Sequence, residues 1–148
     1  MTHPFHQKPF ALVKTRSEGF TLVEIMIVVA IIALLASIAV PSFLRARKRS
    51  QATATLETAR LLDGAKDLYA IENGKASNCT PNWSDLTAYV KTGSSLYKSL
   101  SANAIALDVL NNSFTMNNID KPPQVSTLTE SAVSDVLPNP AAFWGSYY

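Results

Sequence analysis

The clearest feature of the hydrophobic pattern is an apolar segment near the N-terminus. Residues 25–44 contain no Asp, Glu, Lys or Arg over 20 positions and are rich in Ile, Val, Ala and Leu. About 20 apolar residues are enough for a helix to span a bilayer. A secretory signal has a shorter apolar region with small residues after it, whereas the small residue here, Gly19, precedes the segment. Cleavage at Gly19 would therefore leave the apolar helix as the new N-terminus.

Beyond this segment the pattern changes to that of an amphipathic helix. Small or apolar residues recur at helical spacing from Ala52 to Tyr69, with charged residues between them, and Leu61 and Leu68 widen the apolar stripe. The pair Asn73-Gly74 is typical of a helix C-terminus. The second half of the predicted helix therefore needs a small head packed on one side.

Pro41 lies inside this pattern. A proline in a helix removes one backbone hydrogen bond and clashes with the carbonyl four residues earlier. Because the residues after it remain good helix formers, we predict a kink or a loosened turn near residues 37–41 and not a helix end. The prediction is one long helix over about residues 20–73.

The remaining residues, 74–148, predict a small head built from short elements. Helical spacing predicts three short helical segments, at residues 83–90, within 94–111 and at 131–137. Polar and apolar residues alternate at 113–116 and 125–128, which predicts two strands paired as a minimal antiparallel β unit. The aromatic residues 143–148 are expected to pack on this head. The predicted fold class is α+β.

Charge divides the chain at the same place as hydropathy. Residues 1–19 carry three basic side chains and one acidic one, and the rest of the chain carries ten of each, for a formal net charge of +2. Because residues 20–148 carry equal numbers of basic and acidic side chains, the sequence does not favour a nucleic-acid partner, which would need a basic face. The pattern predicts four segments: a basic leader (1–19), a membrane or filament-core helix (20–44), its amphipathic continuation (45–73) and the head (74–148).

The residues at the start of the apolar segment form a recognisable motif. Gly19-Phe20-Thr21-Leu22-Val23-Glu24, followed by Ile25-Met26-Ile27-Val28-Val29-Ala30, resembles the N-terminal signature of type IV pilins and type II secretion pseudopilins. The resemblance is close from Arg16 to about Ser50 and fades towards Gly74. It combines a basic leader, Gly before Phe, an acidic residue at the fifth position from Phe20 and a proline near the far end.

This resemblance implies how the chain is processed and where it resides. Prepilin peptidase is expected to cut between Gly19 and Phe20, and the new amine of Phe20 is expected to be N-methylated. Thr21, Leu22 and Pro41 belong to the part of the signature used in assembly. The protein is expected to cross the inner membrane once, with the leader cytoplasmic and the head periplasmic. Later it would form an extracellular or periplasmic filament.

The partners implied by the resemblance are those of filament assembly. They are prepilin peptidase, identical or related pilin subunits in a homo-oligomeric filament, the inner membrane and, indirectly, an assembly platform and its ATPase. Counting basic residues does not settle the orientation, because three precede the apolar segment and four follow it closely, in residues 45–49. The resemblance implies that those four residues lie at the outer membrane surface or between packed helices, and the alternative is a solvated charge run.

Glu24 is the most informative single residue. A carboxylate at a bilayer centre costs about 2.5 kcal/mol or more, and less near the interface. The resemblance implies that Glu24 pairs with the N-terminal amine of a neighbouring subunit and so sets the axial register. The alternative is that Glu24 lies at headgroup depth, where its charge suits the N-terminal end of the helix dipole.

No pattern in the chain predicts catalysis, a metal site or a cofactor. His3 and His6 lie in the leader, Cys79 is the single cysteine, and no glycine-rich phosphate loop is present. A structural, non-enzymatic subunit of a type IV pilus-like filament is the first hypothesis, and a pseudopilin of a type II secretion system is the second. The scattered Asp108, Asp120 and Asp135 argue weakly against the calcium-binding group of pseudopilins. A minor pilin or anchored binding module, for example in DNA uptake, and an ordinary anchored protein remain open.

Overall fold

The computed structural model describes residues 19–103 and 105–148, apart from the side chain of Asn103. Residues 1–18, most of the predicted leader, lie outside the described residues. The described chain forms four α-helices, α1 (Leu22–Asn73), α2 (Ser95–Asn103), α3 (Thr127–Val133) and α4 (Pro140–Trp144), and three 3₁₀ helices, Trp83–Tyr89, Ser134–Val136 and Gly145–Tyr147. Contacts divide the described residues into two units, with the boundary between Ala39 and Val40.

The first unit consists, in its described part, of the approach to α1 and its first turns. From Phe20 to Ala39 every side chain is exposed except that of Ala36, which is half-buried. An 18-residue window of α1 has a mean hydropathy of 2.9, and none of it is buried. By length and composition, α1 is the one described helix that could cross a membrane. The predicted long apolar helix is confirmed.

Helix α1 runs through Pro41 and ends at Asn73. Gly74 has φ 56°, and the Lys75 N–H donates to the Ala70 carbonyl at 3.0 Å. A left-handed glycine after the helix with this hydrogen bond is a Schellman cap. The predicted C-terminus is therefore confirmed, and Pro41 does not end the helix. The predicted kink stays a prediction.

The second unit has its core where the short head elements meet one face of α1. That face is built from small and branched side chains, with Ala52, Ala59 and Leu62 all fully buried. The head packs apolar side chains from all its elements against it, among them Leu86, Leu96, Leu100, Phe114, Val133 and Trp144. The predicted packing of the terminal aromatic residues is confirmed for Trp144, which is 1% exposed, and for the partly buried Phe143 and Tyr147, but not for Tyr148, which is 56% exposed. The Trp144 and Phe143 rings lie 4.9 Å apart, edge to face.

The predicted β unit is reduced to isolated contacts. Residues 19–103 and 105–148 contain no strand, only two antiparallel bridges, Leu107 with Ser113 and Thr115 with Gln124. The second predicted strand is wrong for Thr127 and Leu128, which begin α3. The Ser126 hydroxyl accepts from the Leu128 N–H at 3.3 Å and caps that helix. The serine that suggested an alternating strand is therefore an N-cap.

Burial along α1 differs from the polarity pattern on two sides of the helix. Lys66, one of the charged residues between the apolar positions, is fully buried, and Leu61 and Leu68, placed in the apolar stripe, are 63% and 54% exposed. The Lys66 Nζ donates to the carbonyls of Asn118, at 2.9 Å, and of Lys121. Burial lowers the pKa of the Lys66 ammonium, although the Asp63 carboxylate 3.9 Å away acts in the opposite direction. Lys66 thus fastens α1 to a loop more than 50 residues later in the chain.

The basic run after the apolar segment is divided between two environments. The Lys48 Nζ lies 2.9 Å from both carboxylate oxygens of Asp135, and the Arg49 Nε donates to the Val136 carbonyl at 3.2 Å. The hydrogen bond from Lys48 lowers the pKa of the Asp135 carboxyl. Arg45 and Arg47 are exposed. Lys48 and Arg49 therefore attach the 3₁₀ helix Ser134–Val136 to α1. The charge pattern alone did not suggest this role.

Candidate functional site

The bond between Gly19 and Phe20 lies just before α1, in residues with no regular secondary structure. Phe20 is 86% exposed, and a Cβ added at Gly19 would meet no atom within 4 Å. Nothing in the described part of the chain therefore requires glycine at position 19. A requirement for glycine would have to come from a protein that binds this segment.

The start of α1 is fixed by a reciprocal set of hydrogen bonds between Thr21 and Glu24. The Thr21 hydroxyl accepts from the Glu24 N–H at 3.2 Å. The Glu24 Oε2 accepts from the Thr21 N–H at 2.8 Å and from the Thr21 hydroxyl at 2.7 Å. This arrangement is a capping box, which satisfies backbone donors that have no partner inside the helix.

The capping box leaves part of the Glu24 carboxylate available. Both hydrogen bonds from Thr21 end on Oε2, and Oε1 accepts none from residues 19–103 or 105–148. The side chain is exposed. Glu24 can therefore cap its own helix and accept a hydrogen bond or an ion pair from a second molecule at the same time.

The structure brings together only some of the residues that the motif singles out. Thr21 and Glu24 are in contact. Leu22, the first residue of α1, is 75% exposed. Pro41 is an exposed residue of α1 in the other unit. The capping role of Thr21 was not predicted from the sequence, although Thr-x-x-Glu before an apolar run is its usual signal.

A second group of polar side chains, in the head, serves the structure of a loop. The Asp108 carboxylate accepts from the N–H groups of Leu110 and Asn112, at 2.9 and 2.8 Å, and from the Thr129 hydroxyl. The Asn112 side chain also donates to Thr129 at 2.8 Å. Asp108 thus joins its own turn to α3. Within the described ranges no group of three or more His, Cys, Asp or Glu side chains could hold a metal ion.

Comparison with known proteins identifies the same N-terminal segment. A family model described as the prokaryotic N-terminal methylation motif matches residues 14–40. This range includes the Gly19–Phe20 bond, the capping box and most of the apolar segment. No solved structure is significantly similar to the chain.

Several characterised proteins are similar to part of the chain. The type IV wide pilus major component PilA4 of Thermus thermophilus is 49% identical over 59 residues, which are 38% of this chain and 44% of that protein. The type IV major fimbrial protein FimA of Dichelobacter nodosus is 35% identical over 81 residues, 55% of this chain and 51% of that protein. The type II secretion system core protein G of Klebsiella pneumoniae is 35% identical over 60 residues, 40% of this chain and 43% of that protein.

The chain spans about half the length of these relatives, or slightly less. The segment that the family model matches contains the Thr21–Glu24 capping box and the first turns of the exposed apolar helix. The chain therefore carries the prokaryotic N-terminal methylation motif and is similar to type IV pilins and type II secretion core proteins.

Proposed function

We propose that this chain is a structural, non-enzymatic subunit of a type IV pilus-like filament. Prepilin peptidase cuts between Gly19 and Phe20 and removes the cytoplasmic leader, residues 1–19, and the Phe20 amine is N-methylated. Residues 20–44 hold the subunit in the inner membrane with the head, residues 74–148, in the periplasm. An ATPase-driven assembly platform then adds subunits to a filament through α1.

The observation that carries this proposal is the exposed apolar surface of the first part of α1. From Phe20 to Ala39 every side chain is exposed except that of Ala36, which is half-buried. The mean hydropathy of 2.9 over an 18-residue window of α1 makes contact between this helix and water unfavourable. Such a helix needs lipid or other helices around it. Because lipid tails are as apolar as leucine, exchanging lipid for neighbouring helices is a change between similar environments. A helix of this kind suits both membrane storage and a filament core.

Glu24 makes the contact between apolar helices specific for one axial register, which apolar side chains alone would not do. Its Oε1 is the atom available to the cationic amine of Phe20 in a neighbouring copy. In an apolar surrounding an ion pair is screened little by water and salt, so a mismatched register would leave a costly unpaired carboxylate. The pairing therefore favours one axial offset between neighbouring subunits over all others.

A pseudopilin of a type II secretion system is the second candidate, and the similarity to core protein G favours it specifically. Among the described residues, Asp108 accepts hydrogen bonds from its own loop and Asp135 pairs with Lys48, so these two carboxylates do not form a shared cation site. The two candidates share the processing and assembly described above. Genes beside this one for a pilus retraction ATPase, or for a secretin-linked secretion system, would decide between them.

The test of the proposal separates the charge of Glu24 from its role as a helix cap. Glu24→Gln keeps a side-chain acceptor for the capping box, since glutamine serves there as well as glutamate, and removes the charge. Thr21→Val removes the capping hydroxyl and keeps the carboxylate, at a cost of about 1 kcal/mol in helix stability. Both variants should be cleaved normally.

Filament yield, measured by shearing and electron microscopy, is the readout. Glu24→Gln should lower it roughly tenfold to a hundredfold, the range for losing one charge-assisted hydrogen bond per contact, and Thr21→Val should remain near the wild-type level. Wild-type yield from Glu24→Gln would show that the carboxylate does not set the register. Equal losses in both variants would assign Glu24 to helix capping alone.

A further inference from the structure

The Lys66 ammonium lies among polar groups inside the head, which we call the polar shell. The shell consists of the carbonyls of Asn118 and Lys121 and the carboxylate of Asp63. Lys66 donates to the Asn118 carbonyl at 2.9 Å and to the Lys121 carbonyl, and the Asp63 Oδ1 lies 3.9 Å from its nitrogen. Lys66 is 0% exposed, so these groups take the place of water around its charge. An ammonium has three donors and no acceptor, and each group of the shell is one that it attracts.

The carbonyls of the shell are held in place by hydrogen bonds that do not involve Lys66. The Lys121 N–H donates to the Asn118 carbonyl at 3.1 Å and closes a turn. Within that turn the Ile119 N–H donates to the Cys79 carbonyl at 3.0 Å, which ties the turn to the loop after α1. A site whose acceptors are already ordered loses little conformational entropy when a ligand binds. The shell is therefore suited to receive a cation and is not created by Lys66 alone.

The charges around the shell suit a single positive charge. In the part of the chain that the structure describes, Lys66 forms one ion pair, with Asp63, whose other oxygen accepts from the Tyr147 hydroxyl at 3.4 Å. Burial lowers the pKa of Lys66. The negative charges of Asp63, Asp67 and Asp120 act on this pKa in the opposite direction.

The ligands of the shell are too few for a divalent metal ion. Calcium takes about six to eight oxygen ligands, several of them from carboxylates, whereas the shell offers two carbonyls and one carboxylate to Lys66. Within residues 19–103 and 105–148, no group of three or more His, Cys, Asp or Glu side chains could hold a metal ion. The shell therefore favours a monovalent cation that carries N–H donors.

We infer that the polar shell is a binding site for a primary alkylammonium group, which the chain fills with its own Lys66. The carbonyls and the carboxylate bind the ammonium, and the buried interior around Lys66 takes the alkyl stem. The site does not depend on the proposed filament function, because its groups lie in the head and in the part of α1 that the head covers. Since this cation is covalently attached, dilution or a change of salt does not remove it from the turn at residues 118–121.

The first test replaces the attached cation with a free one. Lys66→Ala removes the ammonium and the methylene groups that carry it, and 1-propylammonium supplies a stem and an ammonium of the same length. The readout is the denaturation midpoint of the full chain in detergent, followed by tryptophan emission. The folding equilibrium constant of Lys66→Ala should rise about tenfold when 1-propylammonium is present at about ten times its dissociation constant. The wild type, whose shell is filled, should not respond.

Each property of the ligand has its own control. The compound 1-propanol has the stem without the charge, tetramethylammonium has the charge without an N–H donor, and calcium chloride supplies a divalent metal. Arg60→Ala removes an exposed cation from the same helix, and 1-propylammonium should not stabilise it. The inference would be overturned if any control compound stabilised Lys66→Ala as strongly as 1-propylammonium does, or if a folded Lys66→Ala did not respond to 1-propylammonium.

A covalent form of the test does not require Lys66→Ala to fold. A chain with Lys66→Cys and Cys79→Ser has a single thiol. In the unfolded chain this thiol displaces bromide from 2-bromoethylamine or from 2-bromoethanol. Both adducts have the length of a lysine side chain, but one ends in an ammonium group and the other in a neutral hydroxyl. Each is then refolded in detergent.

The ammonium adduct should refold with a folding equilibrium constant roughly tenfold or more above that of the hydroxyl adduct, the effect of one hydrogen bond to a charged group. Cys79→Ser alone keeps Lys66 and is the matched control. Equal stability of the two adducts would show that length and packing, and not the positive charge, hold the turn. Failure of the ammonium adduct to refold where Cys79→Ser refolds would also overturn the inference. Neither result bears on filament formation, which Glu24→Gln tests separately.

Discussion

Replacing Gly19 with leucine is expected to leave the precursor uncut. Glycine has no Cβ and allows the backbone to enter a narrow site in extended form, whereas a branched side chain beside the scissile bond would exclude it. The described part of the chain would not be affected, because no atom lies within 4 Å of a Cβ at this position. Mass spectrometry of membrane fractions should therefore show the full-length chain in place of the product that lacks residues 1–19.

Gly64→Leu is the matched control for this experiment. It makes the same substitution at another glycine with open surroundings, far from the cleavage site, and it should be processed like the wild type. Cleavage of Gly19→Leu at the wild-type rate would show that processing does not occur at the Gly19–Phe20 bond. The filament proposal would then lose its first step.

Lys66→Met should strongly destabilise the packing of the head against α1. Methionine approximates the length of the lysine stem but donates no hydrogen bond. The carbonyls of Asn118 and Lys121 would lose their shared donor, and the Asp63 carboxylate would lose a positive charge 3.9 Å away. Unsatisfied buried acceptors cost roughly 1–3 kcal/mol each, and the relief of a buried ammonium offsets part of this. We expect the free energy of unfolding to fall by about 3 kcal/mol.

Tryptophan emission during denaturation of the full chain in detergent is a suitable measurement, because Trp144 is buried in the head. Arg60→Met is the matched control on the same helix. Its side chain is 55% exposed and forms one ion pair within a helical turn, a kind of contact worth less than about 1 kcal/mol. Equal stability of Lys66→Met and the wild type would show that the carbonyls do not depend on Lys66.

The pH dependence of stability should differ between the wild type and Lys66→Met. Burial lowers the pKa of Lys66 below its ordinary value of 10.5, so the unfolded chain binds this proton more tightly than the folded one. The wild-type free energy of unfolding should therefore gain, relative to the variant, as pH rises from the lowered pKa towards 10.5. Burial raises the pKa of Tyr147, which acts in the opposite direction above pH 10 in both proteins. A constant difference between the two proteins across this range would contradict the shift.

The apolar helix and its C-terminus could be predicted from the sequence because their signal is local. The apolar segment, the C-terminal Asn73-Gly74 and Thr-x-x-Glu each involve residues within one or two turns of helix. Their interactions follow from spacing alone, and the structure adds distances to them. Only the structure shows that Oε2 of Glu24 caps the helix while Oε1 stays available to a second molecule.

The predicted strands show where local pattern is insufficient. Residues 125–128 alternate in polarity as a strand would, yet the Ser126 hydroxyl caps α3 and Thr127 begins it. A polar residue before a short apolar run fits either element. The choice depends on which elements pack against Val125 and Val133, both of which are buried, and that is a property of the tertiary structure.

The sequence by itself determined the apolar helix, its two ends and the motif at its start, because these depend on neighbours along the chain. The tertiary structure decided which side of α1 the head covers. It buried Lys66 because carbonyls at Asn118 and Lys121, distant in sequence, replace its hydration. It left Leu61 and Leu68 exposed because the short head elements pack on the opposite face. Hydrophobic periodicity identifies an apolar stripe, but only long-range contacts determine which of its residues the chain itself covers.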